Sequence, residues 1–231
     1  MKNPVFELEF GYRVLVLALL LAAIAFWDYR RTGKATRFRG YAFVFAVALA
    51  GGVFGLLNDM VTSSISADYF AFGKELGEGD GLRSRAIALG FQAGFGAAAF
   101  VGVILLLANS HRKQPETVLS YGRLSLHALK PLGGAIVCGP LFAVVFHYVD
   151  PLRTRDELLK FLPPARAERF LMVWGIHCGL YVGALAGLLQ AFVDIRKSRK
   201  KIAATLADVN MSTDSRFDGS EPPPQADETF S

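Results

Sequence analysis

Five apolar runs set the limits on what this chain can fold into: about 12–27, 41–59, 86–108, 132–149 and 170–193. A spanning helix needs roughly 20 largely apolar residues, because it rises about 1.5 Å per residue through a hydrocarbon layer some 30 Å thick. The expected fold is therefore all-α. It is an integral membrane helical bundle of five transmembrane helices within residues 1–201, joined by short loops. A soluble alternative fails on composition: 52% of the 231 residues are hydrophobic and 19% charged, which demands a larger core than this length encloses.

The first run is the shortest, with its apolar stretch from Val14 to Trp27 completed by Tyr12 and a snorkelling Arg13. A cleaved signal would carry its positive charge before the apolar run. Here Glu7 and Glu9 dilute Lys2 and Arg13, and Arg30, Arg31, Lys34, Arg37 and Arg39 follow, so a retained helix is expected. Basic loops stay cytoplasmic, which assigns 28–40 and 109–131 to the inside, the latter through Arg112, Lys113, Arg123 and Lys130. The cluster from Arg196 to Lys201 stops transfer. The N-terminus is then outside and the C-terminus cytoplasmic, as in a multi-pass protein of the bacterial inner membrane. The net charge of +5 is explained by this topology and by contact with membrane lipid, with no nucleic acid partner. Loop 150–169 dissents with five basic residues, offset by Asp150, Asp156, Glu157 and Glu168.

Some loops carry local signals. Thr154 followed by Glu157 has capping-box spacing, and predicts a short interfacial helix over about 154–162 that ends before Pro163 and Pro164. The glycine- and acid-rich stretch from Gly73 to Gly81 reads as a mobile outer loop. Residues 202–231, with Pro222-Pro223-Pro224 and scattered acids, are expected to form a disordered cytoplasmic tail.

Glycines recur at four-residue spacing in three runs. Gly175, Gly179, Gly183 and Gly187 lay a groove along the last one, Gly51 and Gly55 do so in the second, and Gly90 and Gly94 in the third. Such grooves let helix backbones approach closely. The last groove takes either a helix of this chain or a second copy in a homo-oligomer.

Polar groups inside spans are costly and mark function. Asn58 and Asp59 end the second span at its outer side, and Gln92 lies ~9 Å inside the outer start of the third. His147 is near the outer end of the fourth, and His177 lies ~11 Å inside that of the fifth, on a face with Tyr181 and Trp174. Asp59 also continues the Gly51, Gly55 ridge, so it points inward. A shared outer-leaflet site follows, with Asn58, Asp59, Thr62, Gln92 and Tyr181 as ligand-binding groups. Asp59, His147 and His177 are the candidate ligands of a divalent transition metal. No phosphate-binding loop, nucleophile elbow or His-Glu-x-x-His helix is present, so no catalytic residue is assigned.

The run Asn58-Asp59-Met60-Val61-Thr62 followed by Asp68-Tyr69-Phe70 resembles an uncharacterised group of bacterial multi-span membrane proteins. Its motif is (His/Asn)-Asp-x-x-Thr and then acidic-Tyr-Phe just outside a helix. The last span, with His177, Tyr181, Gly183 and Gly187 before a basic tail, looks like that group's final helix. The resemblance covers about 41–110 and 170–200. It implies no reaction, but it adds emphasis to Asp59, Thr62, Tyr69, Phe70 and His177. Asn58 stands where histidine is common, and the first span is an addition. The expectation is a membrane protein with an outer polar site for a metal or small ligand. An accessory subunit packing through its glycines is the alternative, and a membrane enzyme or small carrier is third.

Overall fold

The computed structural model describes residues 36–110 and 115–217, together with scattered helical positions between 12 and 31. The chain runs through α1 (Thr36–Ile65), a π-helical turn (Tyr69–Gly73), α2 (Leu82–Asn109), a 3-10 turn (Pro115–Thr117), α3 (Tyr121–Tyr148), α4 (Arg155–Leu158) and α5 (Pro164–Phe217). It is all-helical as described, and α1, α2, α3 and α5 are each long and apolar enough to cross a membrane. The expected first span, 12–27, falls largely outside the described residues.

Each helix outruns its apolar core. α3 starts at Tyr121, well before the apolar run at 132, because Leu119 and Leu124 bury themselves among Phe43, Leu105 and Ile195 while Arg123 and Lys130 stay on the same helix. Ser120 caps it, accepting a hydrogen bond from the Arg123 amide. Lys130 then forms an ion pair with Asp194 of α5. The tail expectation also changes: α5 continues through 202–217, where Ala203, Ala204, Leu206 and Ala207 favour helix and no proline intervenes. Residues 218–231 lie outside the described residues.

Two antiparallel hairpins make up the bundle, and glycines set the register of both. Gly51 faces Gly94 and Gly55 faces Gly90 between α1 and α2; a methyl on any of the four would overlap the opposing backbone. Between α3 and α5 the glycines 175, 179, 183 and 187 face Phe142, Cys138, Gly134 and Lys130 in turn, meeting a carbonyl at each step. Both partners step by four, the row that aligns along a helix face. The groove of α5 is thus filled by α3 of the same chain.

The hairpins join chiefly at their ends. At one end, Tyr69, Phe70, Ala86, Leu158, Leu162, Phe170 and Leu171 form one core. At the other, Phe43, Leu105, Leu124, Leu188 and Ile195 form another. Between them lies a cleft.

The loops at 73–81 and 150–163 are more organised than their composition implies. The Arg85 guanidinium donates to the carbonyls of Gly77, Glu78 and Asp80. The helix expected over 154–162 shortens to α4, and Thr154 does not cap it. Asp150 does: its carboxylate accepts from the Thr154 amide at 3.1 Å, the Thr154 hydroxyl at 3.3 Å and the Arg155 amide at 2.9 Å. Leu158 and Leu162 turn into the core around Tyr69 and Phe170, while Leu159 and Phe161 stay exposed.

Candidate functional site

Asp59 reaches the interior because the glycine ridge of α1 carries it there. At the next step after Gly55, its side chain lies over Gly90 of α2, where the missing side chain leaves room for a carboxylate. Asp59 is 5% exposed. The Asn58 amide donates to its Oδ1 at 2.9 Å. One turn on, the Thr62 hydroxyl donates to the Asn58 carbonyl at 2.9 Å, so this buried group is spent within its own helix.

His177 enters from α5 on the other hairpin. One ring nitrogen, Nδ1, lies 2.9 Å from the Val173 carbonyl, and Nε2 lies 3.0 Å from Asp59 Oδ1. A carbonyl only accepts, so Nδ1 carries a hydrogen. The Nε2 contact then needs its own proton, since an imidazole lone pair facing a carboxylate lone pair would repel. That proton sits either on Asp59, giving a neutral pair, or on His177, giving an ion pair. Both forms hold one proton between the two side chains and are neutral overall, which is the low-cost way to keep two ionisable groups in a dry interior.

The acidic-Tyr-Phe segment builds the wall around the imidazole. The π-helical turn brings two consecutive aromatics to the same side: the Tyr69 ring lies 4.8 Å from the His177 ring at 32°, and Phe70 meets it edge-on at 5.8 Å. The turn is anchored at its start, where the Tyr69 amide donates to Ser66 Oγ at 3.3 Å. Asp68 just before it is held by Arg166 of α5 through two hydrogen bonds, one of them 2.8 Å from Nε. Burial raises the Tyr69 phenol well above its usual range, so it stays neutral. Phe170 and Trp174 continue the aromatic packing behind it.

The pair opens on the cleft between the hairpins, a cavity of about 540 Å³. Its polar lining gathers mostly at one end, where Asn58, Asp59, Lys74, His177 and Tyr181 meet; Ser125 apart, the remaining walls are apolar, chiefly alanine, glycine, leucine and valine. Lys74 also lies over the Tyr69 ring at 5.6 Å.

The expected site is therefore assembled in part. Asn58, Asp59, His177 and Tyr181 line one cavity, and Thr62 supports it from behind. Gln92 is not among the cavity residues; it stands two positions from Gly90, and two steps turn a helix by roughly 200°. His147 is a correction. It follows Phe146, which packs on Gly175, so its own side chain points about 100° away and lies against Tyr148. Its carbonyl accepts from Arg155. The triad of Asp59, His147 and His177 does not form, and among the described residues no three metal-ligating side chains come together. Two ligands fall short of the four of a tetrahedral site.

Sequence reasoning missed Arg166, Lys74 and Gly90 as parts of this site. Arg166 looked like loop charge, and Lys74 sat in a stretch read as mobile. Gly90 was legible as a packing residue, but its pairing with Asp59 needed the register of α1 on α2. Comparison of the chain with protein-family models, curated proteins and solved structures finds no match.

Proposed function

We propose that this chain is a multi-pass protein of the bacterial inner membrane, with its N-terminus outside and its C-terminus cytoplasmic, that binds a small ligand through the outer-leaflet Asp59–His177 pair. One observation carries the reading: a buried carboxylate and imidazole from different hairpins meet at 3.0 Å beside an open cavity. Both side chains are buried, yet both border the cavity, as do Asn58, Tyr181 and Lys74; a pair that served only to lock the bundle would need no such opening.

The pair offers a ligand a hydrogen-bond acceptor on Asp59 and one proton that moves between Nε2 and Oδ1 over a single hydrogen bond. That suits holding a polar group and trading a proton with it. The accessory-subunit alternative drew on the glycine groove of α5, and α3 fills that groove. The resemblance to bacterial multi-span proteins supports the same residues, since each motif member has a place here: Asp59 in the pair, Thr62 behind it, Asp68 on Arg166, and Tyr69 and Phe70 around His177.

The test is native mass spectrometry of the full chain released from detergent. A co-purifying small-molecule adduct that disappears in both Asp59→Asn and His177→Gln, with each variant still folded, supports the reading. No adduct in the unsubstituted protein, together with equal destabilisation by both substitutions, removes it in favour of a structural pair. A reporter fused after Phe217 should be found in the cytoplasm.

A further inference from the structure

The cleft has a shape and a polarity gradient that define what enters it. Along α1 its lining runs from Asp59 at the outer end to Phe43 at the inner end. Sixteen residues at about 1.5 Å each make this ~24 Å, most of the hydrocarbon thickness. With a volume of about 540 Å³ drawn out over that length, the cleft is long and narrow, a shape that a flexible hydrocarbon chain can follow.

The walls agree with the shape. Small side chains line α1 and α2 along the cleft, among them Ala50, Ala93, Ala97 and Ala98, and the far side is closed by Leu129 and Leu132. Ser125, toward the inner end, spends its hydroxyl on the Tyr121 carbonyl, and the other polar groups collect at the outer end. There the Asp59–His177 pair contributes no net charge in either of its one-proton forms. Lys74 has no ion-pair partner among the described residues, which leaves its ammonium available to an anionic group at the mouth of the cleft.

We propose that the cleft binds a single-tailed amphiphile, its hydrocarbon tail lying between the hairpins and its anionic oxygen head held at Lys74 above Asp59 and His177. This rests on the ligand-binding reading of the pair and names the ligand class. The apolar tail gains by leaving neither lipid nor protein voids unfilled, since a gap between the hairpins forfeits dispersion contacts along both walls. The head gains a charge-assisted contact from Lys74 at the depth where headgroups lie. Two sources share this chemistry, a fatty acid carboxylate and a prenyl-chain phosphate.

The probe is palmitate carrying a diazirine midway along its tail, photolysed with the full chain in nanodiscs and mapped by peptide mass spectrometry. Labels should concentrate on Ala93, Ala97 and Val101 and on Leu129, Leu132 and Ala135, and be sparse on outward positions such as Phe100 and Val137. Lys74→Gln, at the exposed mouth, should raise the half-saturating probe concentration about fivefold. Ala97→Phe should block labelling, with a melting curve to show that it still folds. Competition distinguishes the sources: unlabelled palmitate or a polyprenyl phosphate displaces the probe, and the one effective at lower concentration identifies the head. Label spread evenly over lipid-facing surfaces overturns the proposal, as does failure of both competitors. A disulfide between cysteines at Leu19 and Ala97 that excludes the probe also overturns it, because the first apolar run would then occupy the cleft. If the cleft is labelled with unchanged half-saturation in Asp59→Asn, the tail site stands and the role of the pair fails. If an Asp59-dependent adduct appears and the cleft stays unlabelled, the pair keeps its role and the lipid class falls.

Discussion

Gly90 and Asp59 share the space of a single side chain: a methyl on Gly90 would lie 2.7 Å from both the Cβ and the Cγ of Asp59. The carboxylate is placed by what its neighbour lacks. Gly90→Ala should therefore destabilise the bundle by about 1–3 kcal/mol, the usual range for forced overpacking, and displace Asp59 from His177. Gly96 on the same helix has open space around it, and Gly96→Ala should stay within about 0.5 kcal/mol. Thermal melts in one detergent check both; equal effects would refute the assignment.

The Asp59–His177 contact should appear as coupling. In a double-mutant cycle of Asp59→Asn and His177→Gln, the interaction term should be about 1–2 kcal/mol, toward the top of what polar pairs in membrane bundles contribute. Additive losses would show that the two side chains act independently.

Arg166 holds Asp68 in a two-point grip, and that grip sets the turn that carries Tyr69 and Phe70. Lysine keeps the charge but not the planar fork. Arg166→Lys should cost under about 1 kcal/mol, since the Arg166 side chain is 46% exposed and such pairs are screened. It should nonetheless shift the fluorescence of Trp174, which packs on Phe170 beside Tyr69, when read in a Trp27→Phe background. An unchanged spectrum would separate the ion pair from the aromatic wall.

Acid should expose the cap of α4. Burial pushes the Asp150 carboxyl upward, but the amides of Arg155 and Thr154, the Thr154 hydroxyl and the Arg155 charge outweigh it and hold the group below its ordinary 3.8. A carboxyl lowered by folding adds stability above its unfolded value, and that stability is lost as pH falls through the lowered folded value. Asp150 has φ 45°, a conformation that asparagine also tolerates. Asp150→Asn should thus melt below the unsubstituted protein by about 1 kcal/mol near neutrality, and the gap should narrow as pH drops below 4. A constant gap would rule out the ionised cap.

Depth was readable from the sequence, and direction only where a ridge supplied it. Asp59 continues the line of Gly51 and Gly55, and His177 stands off the glycine face of α5, so both were placed inward before any coordinates. His147 and Gln92 share their depth, yet each sits off the ridge of its helix, and one or two residues of offset turn a side chain to another face. Helix ends were misjudged for a related reason. Apolar runs mark hydrocarbon, whereas Tyr121 through Lys130 and the stretch after Ile202 remain helical outside it, where charge is free and propensity decides. Arg166 was invisible as a partner of Asp68 because 98 residues separate them, and nothing local links loop charges across such a distance.

α5 has 54 residues, which at about 1.5 Å each is ~80 Å, nearly twice the ~40–45 Å of a bilayer with its headgroups. His177 sits ~20 Å along that rod from its start and Phe217 ends it, with the helix unbroken between them. A twist or piston stroke of the helix at the imidazole would be delivered to the far extremity through an unbroken shaft, well clear of the lipid on the opposite side.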